Sequence, residues 1–424
     1  MTSRRILVTG LSTAWGGRLA QALERDPEVE AIIGIDRRPP KVALERTEFV
    51  QVADAHSLIR RIVDAAEIDT VVDTRLVVDS IVTTERRAHE NNVIGTMNVL
   101  AACSGEDSPV RKLVFKSSAR FYGAEQDDPA FFTESMSRRH PPKHPLDRDI
   151  CEAEAAVADF RRRNPGKTVT VLRFTHPLGP TIKTSWQKLL RLPVIPAILG
   201  FDPRLQFISE QDMADCLEHA VRNDLDGVFN CAADGVLSLS EVASLLGKPL
   251  APVLPPVATG AAAPALRRLG VPLHPEVLSE LRFGRGLDNR RFKATGFRYR
   301  LTTRETVQKL AEHLRVEPIL GDEAAGTRYR YEAAVEEFLR FSPSVRRPPG
   351  GAKRPSNVAP SGGRLSQRRR DGWDGLTAKE ILAMLPSLSP EDLRALREHE
   401  RTHAARASVL RGIDRLLERA GAAE

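Results

Sequence analysis

Arg5-Ile-Leu-Val-Thr-Gly10-Leu-Ser-Thr13-Ala14-Trp15-Gly16-Gly17 reads as a short apolar strand, a glycine turn and the start of a helix. Ala31-Ile-Ile-Gly-Ile-Asp36 follows as a second strand. Strand, glycine turn, helix and strand in this order form the layout of a dinucleotide-binding βαβ unit. The turn aims the helix N-terminus at a pyrophosphate, where backbone N–H groups and the helix dipole favour negative charge. Gly10 permits the tight turn and Gly16 permits close helix–strand packing. Thr13, Ala14 and Trp15 complete the phosphate-facing loop. Asp36, at the end of the second strand, is placed to accept hydrogen bonds from the adenosine ribose, which favours NAD. Arg37 and Arg38 follow, and either can pair with a 2′-phosphate, so NADP stays open. The plainer alternative for this triplet is a solvated strand end.

Outward from this stretch, apolar runs alternate with helical patterns. Strands are expected at Arg5–Thr9, Ala31–Ile35, Glu48–Val52, Thr70–Asp73, Lys112–Lys116 and Thr168–Arg173, and helices near 16–24, 57–66, 85–104 and 146–163. The alternation predicts an α/β fold, a Rossmann-type doubly wound parallel sheet with helices on both faces. Right-handed crossovers gather the strand C-termini along one edge, where a ligand crevice forms. This domain is expected over 1–180. From 181 to 342 the alternation loosens among prolines 193, 196, 203, 249 and 252, which predicts a small substrate lobe interleaved with the last Rossmann elements.

Composition narrows the function classes. The chain has 424 residues, 41% hydrophobic and 28% charged, with a net charge of +7. Residues 343–375 carry eight basic side chains against two acidic ones, so six of the seven net charges sit there. That stretch is rich in Pro, Gly, Ser and Arg and predicts a disordered basic linker. The rest of the chain is nearly neutral, which argues against a nucleic-acid-binding face. No run is long and apolar enough for a membrane span. Met1-Thr-Ser-Arg-Arg leads straight into a strand, so no signal peptide is expected and the cytoplasm is the predicted compartment. Cys103, Cys151, Cys216 and Cys231 lack metal-ligand or redox spacing, so no metal site is expected. Residues 376–424 predict a helical hairpin: Thr377 and Glu380 have capping-box spacing, and Ser389-Pro390-Glu391-Asp392 begins a second helix. Its apolar stripe is expected to pack on itself or on a protein partner.

Several segments together carry a resemblance. Val8-Thr9-Gly10 through Gly16, Ala53-Asp54-Ala55, Asn92-Val-Ile-Gly-Thr-Met-Asn-Val-Leu100, Val114-Phe-Lys116-Ser-Ser118-Ala-Arg-Phe-Tyr122-Gly123 and Val171-Leu-Arg-Phe-Thr-His176-Pro-Leu-Gly-Pro180 stand in order. Gly227-Val-Phe-Asn230 and the Gly296 region follow. The chain resembles the extended short-chain dehydrogenase/reductases, in the NAD-dependent epimerase/dehydratase branch that includes UDP-glucose 4-epimerase. The resemblance implies that Asp54 and Ala55 contact adenine, that Asn92 lies on the central helix, and that Thr74, Arg75 and Lys116 line the cofactor crevice. It implies Ser118 as the catalytic serine and assigns Gly227–Asn230 to the substrate lobe. It also implies a homodimer through the helices near 85–104 and 146–163, and a small-molecule substrate such as a nucleotide sugar.

The pattern breaks at three places. Thr13 stands where the middle glycine is usual, and a β-branched side chain crowds a pyrophosphate there. Arg75 and Leu76 stand where two alanines are usual. Arg75 either grips phosphate as a fork of donors or fills the crevice and pairs with Asp73 or another acid. The third break concerns chemistry, because the family moves a proton with a tyrosine supported by a lysine four residues on. Alignment puts Leu146 and Ile150 at those positions, and residues 123–298 hold no tyrosine. Neither aliphatic side chain can carry a proton. His176, at a strand end, is the candidate substitute acid or base. His140, Lys143 and His144 read as a solvated, proline-stiffened loop. Three functions therefore stand: an NAD(P)-dependent oxidoreductase, epimerase or dehydratase with an atypical acid/base, a catalytically silent dinucleotide- or metabolite-binding regulator acting through its C-terminal helices, or a scaffold that binds no nucleotide, with Arg75 and Thr13 closing the crevice.

Overall fold

The computed structural model describes residues 3–52, 56–180, 182–254, 273–316 and 390–402, with single positions in 264–271 and 406–417. Asp54, Ala55 and the basic stretch 343–375 lie outside the described residues. The chain forms two compact units, Met1–Arg328 and Tyr329–Glu424.

In the first unit the expected alternation is present. The order is β1 (Arg5–Thr9), α1 (Ala14–Leu23), β2 (Ala31–Asp36), β3 (Thr47–Gln51), α2 (His56–Ala65) and β4 (Thr70–Asp73). It continues with α3 (Glu85–His89), a π-turn (Glu90–Ile94), α4 (Gly95–Cys103), β5 (Lys112–Ser118), a 3-10 turn (Ala119–Tyr122), α5 (Pro145–Arg163) and β6 (Thr168–Phe174). Then come β7 (His176–Leu178), α6 (Ser185–Arg191), β8 (Ile195–Ile198), β9 (Arg204–Leu205), β10 (Phe207–Ser209), α7 (Glu210–Arg222) and β11 (Gly227–Cys231).

Seven parallel strands form one sheet in the order β11-β6-β5-β4-β1-β2-β3. The order reverses between β1 and β4, the switch point where open α/β sheets bind ligands. Gly227–Cys231 is the edge strand of this sheet, paired with β6, and the assignment of Gly227–Asn230 to the substrate lobe is corrected accordingly. The reason is its buried, mostly apolar pattern, which suits a strand covered on both faces.

Alternating side chains divide the core. Ile6, Val8, Ile32, Val72, Val114 and Leu172 face α1 and α7. Leu7, Ile33, Val71, Leu113, Phe115 and Val171 face α2, α4 and α5. A third cluster around Trp186, Leu189, Leu190, Ile195, Leu205, Phe207 and Leu281 makes the core of the lobe. The helix expected at 85–104 is interrupted by the π-turn. There the Asn92 amide bonds the backbone of Val77 at both N–H and C=O, 2.7 Å each, tying the loop after β4 to the helix.

In the second unit the helix expected after Ser389 runs Pro390–Thr402. Leu393, Leu396, Val409 and Ile413 are buried, and Arg397 pairs with Asp414 at 2.8 Å. The capping box at Thr377 and Glu380 lies outside the described residues. No helix among the described residues is long and apolar enough to cross a membrane.

Candidate active site

The glycine turn is built on contacts that larger residues cannot make. Gly10 has φ +81°, a left-handed conformation that suits glycine. A Cβ on Gly16 would lie 2.3 Å from the Gly10 carbonyl, so α1 closes on β1 only with glycine there. Thr13 caps α1: its hydroxyl accepts from Gly16 N–H at 3.0 Å and donates to the Gly10 carbonyl at 2.7 Å. Thr74 joins this cluster, its hydroxyl 3.1 Å from that of Thr13 and 2.9 Å from the Thr9 carbonyl. The threonine in place of the middle glycine thus satisfies its own turn. Ala14 and Trp15 occupy the first two helical positions, whose N–H groups have no partner within a helix and can face a phosphate.

Asp36 ends β2 beside this turn. Its Oδ2 accepts from the Ser12 N–H at 2.9 Å and the Ser12 hydroxyl at 2.7 Å, and its Oδ1 from the Arg37 N–H at 2.6 Å. Arg37 itself is exposed.

Arg75 pairs with Asp73 rather than reaching outward, which decides between its two sequence readings. Nε meets Oδ1 at 3.0 Å and Nη2 meets Oδ2 at 2.9 Å, while Nε also approaches the Thr9 hydroxyl at 3.2 Å. Burial acts to raise the Asp73 carboxyl, but the Arg75 guanidinium and the surrounding hydrogen bonds outweigh it and hold the group below the usual carboxylate range. The Arg75 side chain runs between two glycines: a Cβ on Gly10 would lie 2.6 Å from Cγ of its stem, and one on Gly95 would lie 2.8 Å from Nη1 of its guanidinium.

Farther along the edge, Lys116 is buried and donates to the Leu76 carbonyl at 2.8 Å. Ser118 ends β5 opposite Phe174, two residues before His176, and its hydroxyl accepts from Arg120 N–H at 3.3 Å. Leu146 and Ile150 are buried on α5, Ile150 within the aliphatic cluster against the sheet. Tyr122 is fully buried, stacked on Phe132 and donating to Asn230 at 2.8 Å, so it packs rather than faces the crevice.

His176 lies in a charged cluster that the sequence did not reveal. Its Nε2 is 2.8 Å from Glu280 Oε2, which also accepts from Trp186 Nε1 at 2.6 Å. Arg285 Nη2 holds Glu280 Oε1 at 3.0 Å. Burial acts to raise the Glu280 carboxyl; His176 and Arg285 overcome this and keep it well below the ordinary range. Next to Leu146, Asp147 bridges Arg120, at 2.9 Å from Nε, and Arg138, at 3.2 Å. No spacing rule finds Glu280, Trp186, Arg285 or Asp147, because they come from three separate stretches of the chain. By contrast His140 pairs with Asp127 at 2.7 Å and Lys143 with Glu125 at 2.7 Å, both partly exposed, as expected of a solvated loop.

Residues 6–232 match the family described as NAD dependent epimerase/dehydratase. The uncharacterized protein Rv0501 of Mycobacterium tuberculosis (strain H37Rv) is 33% identical over 308 residues, 71% of this chain and 81% of that one. The chain belongs to the NAD dependent epimerase/dehydratase family. A shorter match, 33% identical over 91 residues, covers 22% of this chain and 21% of UDP-glucose 4-epimerase 2 of Oryza sativa subsp. japonica. Among solved structures, UDP-glucuronic acid 4-epimerase from Bacillus cereus in complex with NAD has a TM-score of 0.56 at 15% identity, covering 73% of this chain and 98% of that one. UDP-glucose 4-epimerase from Thermotoga maritima with UDP-glucose gives 0.56 at 18% identity, with the same coverage. These likenesses show the fold.

In this member of the epimerase/dehydratase family the residues present fit a dinucleotide. The glycines of the Gly10–Gly16 turn let α1 close on β1, the first N–H groups of α1 are free of helical partners, and Asp36 ends the neighbouring strand with a carboxylate.

Proposed function

We propose that this protein binds NAD or NADP at the switch point and acts as an oxidoreductase or nucleotide-sugar epimerase, with His176 in the proton-transfer role that tyrosine plays in its relatives. The observation that carries this reading is the 2.8 Å contact between His176 Nε2 and Glu280. Glu280 is held ionised and can only accept, so Nε2–H donates to it and Nδ1 is the ring nitrogen left to meet a substrate. The side chain is 19% exposed, enough for one ring edge to meet a substrate. Trp186 and Arg285 fix the carboxylate that orients the ring. Ser118, at the neighbouring strand end, holds the substrate hydroxyl or carbonyl while His176 Nδ1 takes or returns its proton.

Gly10, Thr13, Ala14, Trp15 and Gly16 are the proposed pyrophosphate cradle, with Thr74 and Arg75 beneath it. Asp36 and Arg37 take the adenosine ribose, and Asn92 fixes the loop that borders the crevice. A dinucleotide held by these residues would supply hydride transfer. Solved relatives hold NAD and UDP-sugars, which supports a small nucleotide-sugar substrate. The exposed Ile94 and Met97 on the α4 side suit the proposed homodimer, and a cytoplasmic location with a protein partner at 376–424 completes the reading.

A second reading is favoured by the aliphatic burial of Ile150 and by Arg75 in the slot between Gly10 and Gly95. In it the protein binds a dinucleotide or metabolite without turnover and signals through its C-terminal helices. Calorimetric titration with NAD(H) and NADP(H), followed by a turnover assay on UDP-glucose and UDP-glucuronic acid, tests both. Binding with turnover supports the first, binding alone the second. No binding at millimolar cofactor overturns the first and the dinucleotide form of the second.

A further inference from the structure

The lysine absent at position 150 has a counterpart on another element. Lys116 is the fifth residue of β5, two before Ser118, and is 3% exposed. Its Nζ donates to the carbonyl of Leu76, in the loop after β4, and that loop's Arg75 lies against Gly10. Across the carboxyl edge of the sheet the order is Asp36 on β2, the Gly10 turn after β1, Leu76 after β4, Lys116 and Ser118 on β5, and His176 after β6. A dinucleotide that sets its adenosine ribose at Asp36 and its pyrophosphate at α1 must bring its second ribose to the β4–β5 boundary. Lys116 is the lysine at that boundary.

We propose that Lys116, reaching from β5 instead of α5, holds the hydroxyls of the dinucleotide's second ribose. The inference rests on the dinucleotide reading above and names the group that replaces the missing lysine. An ammonium has three donors in tetrahedral array, and Leu76 takes one; vicinal ribose hydroxyls offer acceptors for the others. Burial pushes the amine down to about 8, with Asp73 acting in the opposite sense, so a polar ligand at Nζ restores solvation that the fold removed. Ile150, in its aliphatic cluster, has no such role left.

The test is calorimetric titration of the full chain with ADP, ADP-ribose and NAD, in wild type and Lys116→Met. ADP lacks the second ribose, and ADP-ribose has it without nicotinamide. The variant should lose about tenfold or more in affinity for ADP-ribose and NAD, the scale of one charge-assisted hydrogen bond, and keep its affinity for ADP. Equal affinities in both proteins for all three ligands would overturn the clamp, and so would equal loss of all three. A wild type that binds no ADP would instead sink the dinucleotide reading itself. In the wild type, independently of any variant, the 15Nζ resonance of Lys116 should move with ADP-ribose and stay in place with ADP. A resonance that ignores both ligands while ADP-ribose binds counts against the proposal.

Discussion

Arg75 clasps Asp73 with two parallel hydrogen bonds, 3.0 and 2.9 Å long, at the one place in the sheet where β4 meets the glycine turn. Both side chains are nearly excluded from solvent. The pair is therefore a self-neutralised unit packed against the Gly10 turn.

Removing one partner strands a buried charge. Arg75→Ala should destabilise the protein by about 3–5 kcal/mol, measured by urea unfolding at neutral pH. Because Asp73 is held below its unfolded value, the pair's contribution is full above the ordinary aspartate pKa of about 3.9 and is lost as pH falls through the lower folded value. The gap between wild type and variant should accordingly narrow on acidification from pH 4. A gap that is constant across that range would contradict the coupling.

His176→Ala should lower turnover by about two to four powers of ten in an active preparation, the usual worth of a general acid/base. Glu280→Gln should lower it as well, since the amide no longer compels hydrogen to reside on Nε2. Ser118→Ala should also reduce the rate, whereas His144→Ala, in the solvated loop, should leave it unchanged. Steady-state rates on a UDP-sugar decide this, and a fully active His176→Ala protein removes the histidine from the mechanism.

Ile150→Lys should be poorly tolerated. Ile150 is fully buried among aliphatic side chains, and an ammonium there has no counter-ion within that cluster. The substitution should cost several kcal/mol in denaturant unfolding. If Ile150→Lys is instead as stable as wild type, the helix face is wetter than its packing shows.

Gly16→Ala places a methyl group 2.3 Å from the Gly10 carbonyl. Relief requires α1 to move off β1, which should cost about 1–3 kcal/mol and abolish dinucleotide binding, both read from thermal melts with and without NAD. Unchanged ligand-induced stabilisation would show that the cradle lies elsewhere.

Periodicity located the first six strands to within one or two residues because all but the half-exposed Thr47–Gln51 contain a short, largely buried apolar run. The interruption at Glu90–Ile94 was not legible. Nothing in Glu-Asn-Asn-Val-Ile disfavours an ordinary helix until Asn92 meets Val77 across the crevice. Gly227–Cys231 was misassigned for a related reason, since a strand's sheet is chosen by its partner and β6 lies more than fifty residues upstream.

The order of residues by itself determined the α/β alternation, the glycine turn, Asp36 at the end of β2 and the absence of tyrosine and lysine from α5, since these depend on local geometry and residue type. Tertiary structure alone decided that Arg75 turns inward onto Asp73, that Lys116 reaches Leu76, and that Glu280 from a distant helix seats His176. Charges as far apart in sequence as His176 and Glu280 find one another only after burial has stripped them of water. Their pairing therefore belongs to the packed fold and leaves no periodic trace in the chain.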